Sequence, residues 1–91
     1  MTSSVALVSA GSGTLPKTSA GAESTVTVSD ASITTTCSII LTPTTVVKDA
    51  LGPITLYLYS QTNGSGFVVH SDRQLPEELT FDYMSVEPAV A

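Results

Sequence analysis

An all-β fold, a small antiparallel β-sandwich or barrel of five to six strands with an extended N-terminal arm, is what this sequence predicts, on three observations. Short runs alternate apolar with polar residues, the period of a strand with one face in a core. Ser and Thr fill 27 of 91 positions while only 12% of residues are charged, about half the usual quarter, and β-branched hydroxyl residues suit exposed sheet faces. No segment carries a helical period. At this length the chain is read as one β-domain, residues 25–91, preceded by a flexible arm, residues 1–24.

The elements follow in order. Gly11, Gly13, Pro16 and Gly21 interrupt any regular pattern in the arm, within which Ser4 to Val8 could either form a short strand that completes a neighbouring subunit's sheet or belong to a frayed N-terminus. Thr25-Val26-Thr27-Val28 alternates with Val26 and Val28 inward, and Ser29-Asp30-Ala31 turns the chain. Ile33 to Thr42 is the most β-branched run and ends at Pro43. Its continuous Ile39-Ile40-Leu41 predicts burial on both faces, one against the core and one against a second subunit. Asp49 to Pro53 is a connecting loop. Ile54 to Ser60 then sets Ile54, Leu56 and Leu58 on one side and Thr55, Tyr57 and Tyr59 on the other. Asn63-Gly64 supplies a hairpin turn into Phe67 to Ser71. Leu75 plugs the core from a charged connection, and Leu79 to Val86 closes the fold with Leu79, Phe81, Tyr83 and Ser85 inward. The expected core comprises Ile39, Leu41, Leu56, Leu58, Phe67 and Phe81.

Charge and cysteine usage exclude several functions. The net charge of −5 comes with three basic residues, Lys17, Lys48 and Arg73, and no basic run, so nucleic acid is not an expected partner. The apolar runs are too short for a membrane-spanning helix, no basic amphipathic helix can be drawn, and a membrane is likewise not expected. Met1 to Ala10 lacks the charged start and long apolar stretch of a secretory signal, so secretion by that route is not expected, and the single cysteine fits a reducing compartment such as bacterial cytoplasm. Cys37 stands alone, so neither an intrachain disulfide nor a paired-cysteine metal site can form.

Residues able to carry chemistry are few. His70 is the only histidine, lies in a strand pattern, and has no Gly-x-Ser-x-Gly turn to serve, so it reads as a surface or interface residue. Cys37, in the most apolar run, reads as a small hydrophobe whose thiol resists ionisation. Glu77, Glu78 and Asp82 form a solvated acidic cluster without the alternating ligands of a calcium loop. Gly64-Ser65-Gly66 lacks the lysine and helix of a phosphate cradle. Tyr57 and Tyr59 leave one strand face together, as at sugar platforms and subunit interfaces, and the scarcity of other aromatics favours an interface. No catalytic residue, metal or cofactor is expected.

Five runs carry a resemblance. Thr25-Val26-Thr27-Val28, Ser38-Ile39-Ile40-Leu41-Thr42-Pro43-Thr44, Leu56-Tyr57-Leu58-Tyr59, Gly66-Phe67-Val68-Val69-His70-Ser71 and Leu79-Thr80-Phe81-Asp82-Tyr83 together resemble a β-structured module of tailed-bacteriophage virion proteins. The likeness covers Ser24 to Glu87, and it departs where Val68 replaces a polar residue. The resemblance implies a homotrimer without enzyme activity. The short chain points within that group to a capsid decoration (cement) protein on the virion surface, made in the bacterial cytoplasm and bound to the major capsid protein. The alternative expectation is a tail, baseplate or fibre component that contacts a host-surface glycan. Residues expected to bind partners are Val5, Leu7 and Val8, for anchoring, and Tyr57 and Tyr59, for subunit contact.

Overall fold

Alternation of apolar and polar residues builds β-strands such as 25–28, 56–59 and 79–86 in the computed structural model, which describes residues 5–88 and the side chains of residues 7–87. The strands are β1 (Val5–Leu15), β2 (Glu23–Ser29), β3 (Ser38–Pro43), β4 (Lys48–Asp49), β5 (Gly52–Pro53), β6 (Leu56–Thr62), β7 (Gly66–Gln74) and β8 (Leu79–Pro88). They form two three-stranded antiparallel sheets, ordered β1-β8-β3 and β2-β7-β6, and a two-stranded ribbon, β4-β5. The sheets pack as a sandwich, the all-β class that the sequence predicts. The six sandwich strands match the upper expected number, and the ribbon adds two short ones in the segment read as a loop. The principal extents are 49 × 25 × 16 Å, and the radius of gyration is 14.5 Å. A rounded chain of this length has about 12 Å, so the sandwich is an elongated slab.

The core lies between the sheets. Phe67, Val69 and Ile54 project from the β2-β7-β6 side, and Leu15, Leu79, Phe81 and Tyr83 from the other. Phe67 and Tyr83 meet edge to face across the interior with ring centroids 4.9 Å apart. Leu75 is fully buried and plugs the space below β7 and β8, as read from the sequence. Of the expected core, Phe67 and Phe81 are fully buried, whereas Ile39, Leu41, Leu56 and Leu58 are half-buried around it. These four lie on β3 and β6, which are edges of their sheets and so have neighbours on one side only.

Three buried serines sit within this interior, and each is hydrogen-bonded. The Ser24 amide donates to Ser71 Oγ at 2.7 Å, and its hydroxyl donates to the Pro16 carbonyl at 2.5 Å. Ser71 in turn donates to the Arg73 carbonyl at 2.6 Å, and Ser85 shares a 2.7 Å bond with Ser9. Burial of a hydroxyl is tolerated because its polar atoms are satisfied in this way.

Two segments differ from the sequence reading. Residues 5–15, expected within a free arm, form β1, paired antiparallel with β8 from Val5↔Pro88 to Leu15↔Leu79. Leu15 is completely buried, and the expected boundary at residue 24 falls inside β2. Gly11 and Gly13, which look like strand breakers, pair with Tyr83 and Phe81 and leave room for their rings. The run Ile33 to Thr42 is strand only from Ser38. Before it, the Gln61 side-chain amide donates to the carbonyls of Thr34 (2.6 Å) and Cys37 (3.1 Å), holding the chain in turns that place Ile33 and Cys37 in the core. The buried Cys37 thiol donates to the Thr34 carbonyl at 3.1 Å, in keeping with its reading as a small core residue.

Turn chemistry is close to expectation at the β6-β7 hairpin. Gly64 has φ +72° and Gly66 φ +144°, while Asn63 keeps an ordinary negative φ. A side chain at Gly66 would strike the Val28 carbonyl, so both conformation and space demand glycine there.

Candidate functional site

The outer face of β2-β7-β6 gathers the aromatic residues that the core leaves out. Register places Thr25, His70 and Tyr57 side by side across three strands. Between Leu58 and Ser60 the ladder to β7 shifts, leaving Tyr59 as the extra residue of a bulge. A bulge re-aims side chains, and this one turns Tyr59 over the neighbouring histidine. The Tyr59 and His70 rings stack with centroids 4.1 Å apart and planes within 2°, and Tyr57 meets the same imidazole edge-on at 5.7 Å. Tyr59 remains 62% exposed and Tyr57 40%.

A carboxylate completes the group. Glu23 Oε1 accepts the Tyr57 hydroxyl at 2.8 Å and lies 3.4 Å from His70 Nδ1, which is itself 3.5 Å from the Tyr57 oxygen. The bond to Glu23, with a smaller contribution from desolvation, raises the Tyr57 phenol above its ordinary value. The Tyr57 hydroxyl serves here as a donor. His70 faces two tyrosine rings and one carboxylate, and no serine or cysteine among the described residues hydrogen-bonds to it. This arrangement is a preformed aromatic surface with a polar rim, the composition that subunit contacts favour.

The other expected partner-binding residues lie on the opposite sheet. Leu7 pairs with Val86 and is 64% exposed on the outer face of β1-β8-β3, near Ile40 (48%) and Met84 (45%). Val8 is half-buried at a bulge between Leu7 and Ser9. Val5 pairs with Pro88 through its backbone, and its side chain lies outside the described residues. The two predicted groups thus occupy separate faces. Ile40 points away from the core between inward Ile39 and Leu41, so the continuous apolar run is divided between a half-buried inner face and an open outer one.

Sequence reasoning finds Tyr57, Tyr59 and His70 but misses Glu23, which lies 34 residues from its tyrosine partner. It also misses the clasp made by Arg73. Nε and one terminal nitrogen of that guanidinium reach both Asp49 oxygens, at 2.6 and 2.9 Å, and the other terminal nitrogen bonds Asp72 at 3.0 Å. Further bonds to the Gly52 and Pro53 carbonyls fasten the β4-β5 ribbon. Glu77, Glu78 and Asp82 are exposed, and no three His, Cys, Asp or Glu side chains among the described residues converge as metal ligands. Compared with protein-family models, with curated proteins and with solved structures, the chain matches none.

Proposed function

We propose that this chain is a non-enzymatic structural protein of a bacteriophage virion, a homotrimeric capsid decoration protein that binds the major capsid protein and stabilises the shell. The virion assignment is drawn from the resemblance of the runs between Ser24 and Glu87, and the self-association from the Tyr57–Tyr59–His70 surface. That surface is the observation that carries the reading. Two tyrosines already ordered against an imidazole lose little side-chain freedom on binding, which lowers the cost of association. The outer apolar face with Leu7, Ile40 and Met84 would meet the shell, giving the module one face for copies of itself and one for the capsid.

The test has two parts. Sedimentation of the full chain at micromolar concentration is expected to give a trimer that Tyr59→Ser converts to monomer, and a monomeric parent would sink the self-association. Immunogold electron microscopy of particles carrying the chain is expected to label the icosahedral shell. Label at the tail tip would replace decoration with the fibre reading, and unlabelled particles would remove the virion assignment.

A further inference from the structure

From Ser9 to Leu15 the outer edge of β1 carries main-chain hydrogen-bonding groups that no strand among the described residues covers. β1 pairs with β8 on one side and, among the described residues, with no strand on the other. Edge strands are ordinarily defended by charge, proline, a bulge or short length. The other three edges are defended: β2 begins at Glu23, β3 has six residues and ends in Pro43, and β6 bulges at Tyr59. β1 has its own bulge at Val8, but from Ser9 to Leu15 it runs without charge, proline or register shift. Gly11 is exposed although its Cα faces the Tyr83 ring, so it is the backbone edge itself that meets solvent.

We infer that this edge pairs with the same edge of a second copy, antiparallel about a two-fold axis at Ser12. An unpaired strand edge calls for an extended strand as its ligand. The order of residues favours a second copy as that strand. About Ser12, Gly11 lies opposite the mate's Gly13 and Ala10 opposite the mate's Thr14, so a two-fold joins small to small with no clash and no like charges. Ala10, Ser12 and Thr14 are all exposed on the outer face, where their side chains leave the edge open to approach. The result is a continuous six-stranded sheet across two copies, through a surface separate from Tyr57 and Tyr59.

The paired length sets the strength. Seven residues span about 24 Å, and a strip about 10 Å deep covers roughly 500 Å² over both copies. Standard stable interfaces begin near 1,200 Å², so the edge contact is weak on its own and concentration-dependent. Covalent trapping is therefore the suitable measurement. Ser12→Cys places two directly opposed cysteines at the axis with Cα atoms about 5 Å apart, within disulfide reach. Under mild oxidation the full-length variant is expected to give linked dimer at least ten times faster than Thr35→Cys, an exposed loop control; native Cys37 is buried in both. A mixture of Ala10→Cys and Thr14→Cys chains is expected to link mainly to one another. Ser12→Cys linking at the control rate would overturn the pairing, and Ala10→Cys linking to itself as readily as to Thr14→Cys would overturn the register. Neither outcome bears on the trimer, which Tyr59→Ser tests.

Discussion

Gly13 lies under the ring of Phe81, so close that a methyl group on its Cα would come within 2.6 Å of Phe81 Cζ. Gly11 stands in the same relation to Tyr83, where the corresponding distance to Cε1 is 2.8 Å. Successive inward positions of β1 therefore carry no side chain, and successive inward positions of β8 carry rings that fill the gap. Gly13→Ala should destabilise the fold by about 1–3 kcal/mol, the usual cost of overpacking a filled core. Chemical denaturation measures it. Phe81→Leu in the same chain should recover part of the loss, because the two changes share one space and are not additive.

Arg73, on β7, holds the β4-β5 ribbon, which pairs with no strand of either three-stranded sheet. Arg73→Lys should fail to preserve this clasp, since an ammonium cannot offer the paired geometry that meets both Asp49 oxygens. The expected result is faster amide exchange at Leu51 and Gly52, with the exchange of Val69 in the core unchanged. Equal exchange throughout would show that the ribbon is ordered without the guanidinium.

Asp30 links the β2-β3 turn to the core. Hydrogen bonds from Ser9, from the Ser32 amide and from the Tyr83 hydroxyl hold its carboxyl below the ordinary 3.8. A folded value below the unfolded one contributes stability above 3.8 that is lost as pH falls through the folded value. Asp30→Asn should therefore be less stable than the parent at neutral pH, with the difference closing in acid. Burial, then the bond to Asp30, raises Tyr83 above 10.0, so its contribution is present below that pH and lost as pH rises through the folded value. Denaturant midpoints across both limbs check each sign.

Tyr59→Ser should leave the denaturation midpoint nearly unchanged, because the ring is mostly exposed and packs on His70 outside the core. Its effect should fall on association. A large drop in stability of the monomer, with association intact, would make the aromatic surface a local structural feature and remove its role in the proposed trimer.

Much of the inner and outer assignment was legible locally, because strand alternation is a property of neighbouring residues. Val26 with Val28, Thr55 with Tyr57, and Phe81 with Tyr83 each take the face that alternation assigns. The Ile39-Ile40-Leu41 run resisted this reading, since three apolar residues in succession carry no alternation and only the sheet decides which faces inward. β1 resisted it for a different reason. Gly11 and Gly13 carry no local signal for a strand, and what makes them fit lies about 70 residues away in β8, at Tyr83 and Phe81.

The sequence by itself determined the all-β class, the hairpin at Gly64 and the outward pairing of Tyr57 with Tyr59, because period and turn chemistry act over a few residues. Only the tertiary structure decided that β8 sits between β1 and β3, that Glu23 and His70 join the tyrosines, and that Arg73 clasps Asp49. These are contacts between residues distant in the chain. Their energies depend on sheet order and register, which packing sets once the whole chain has folded.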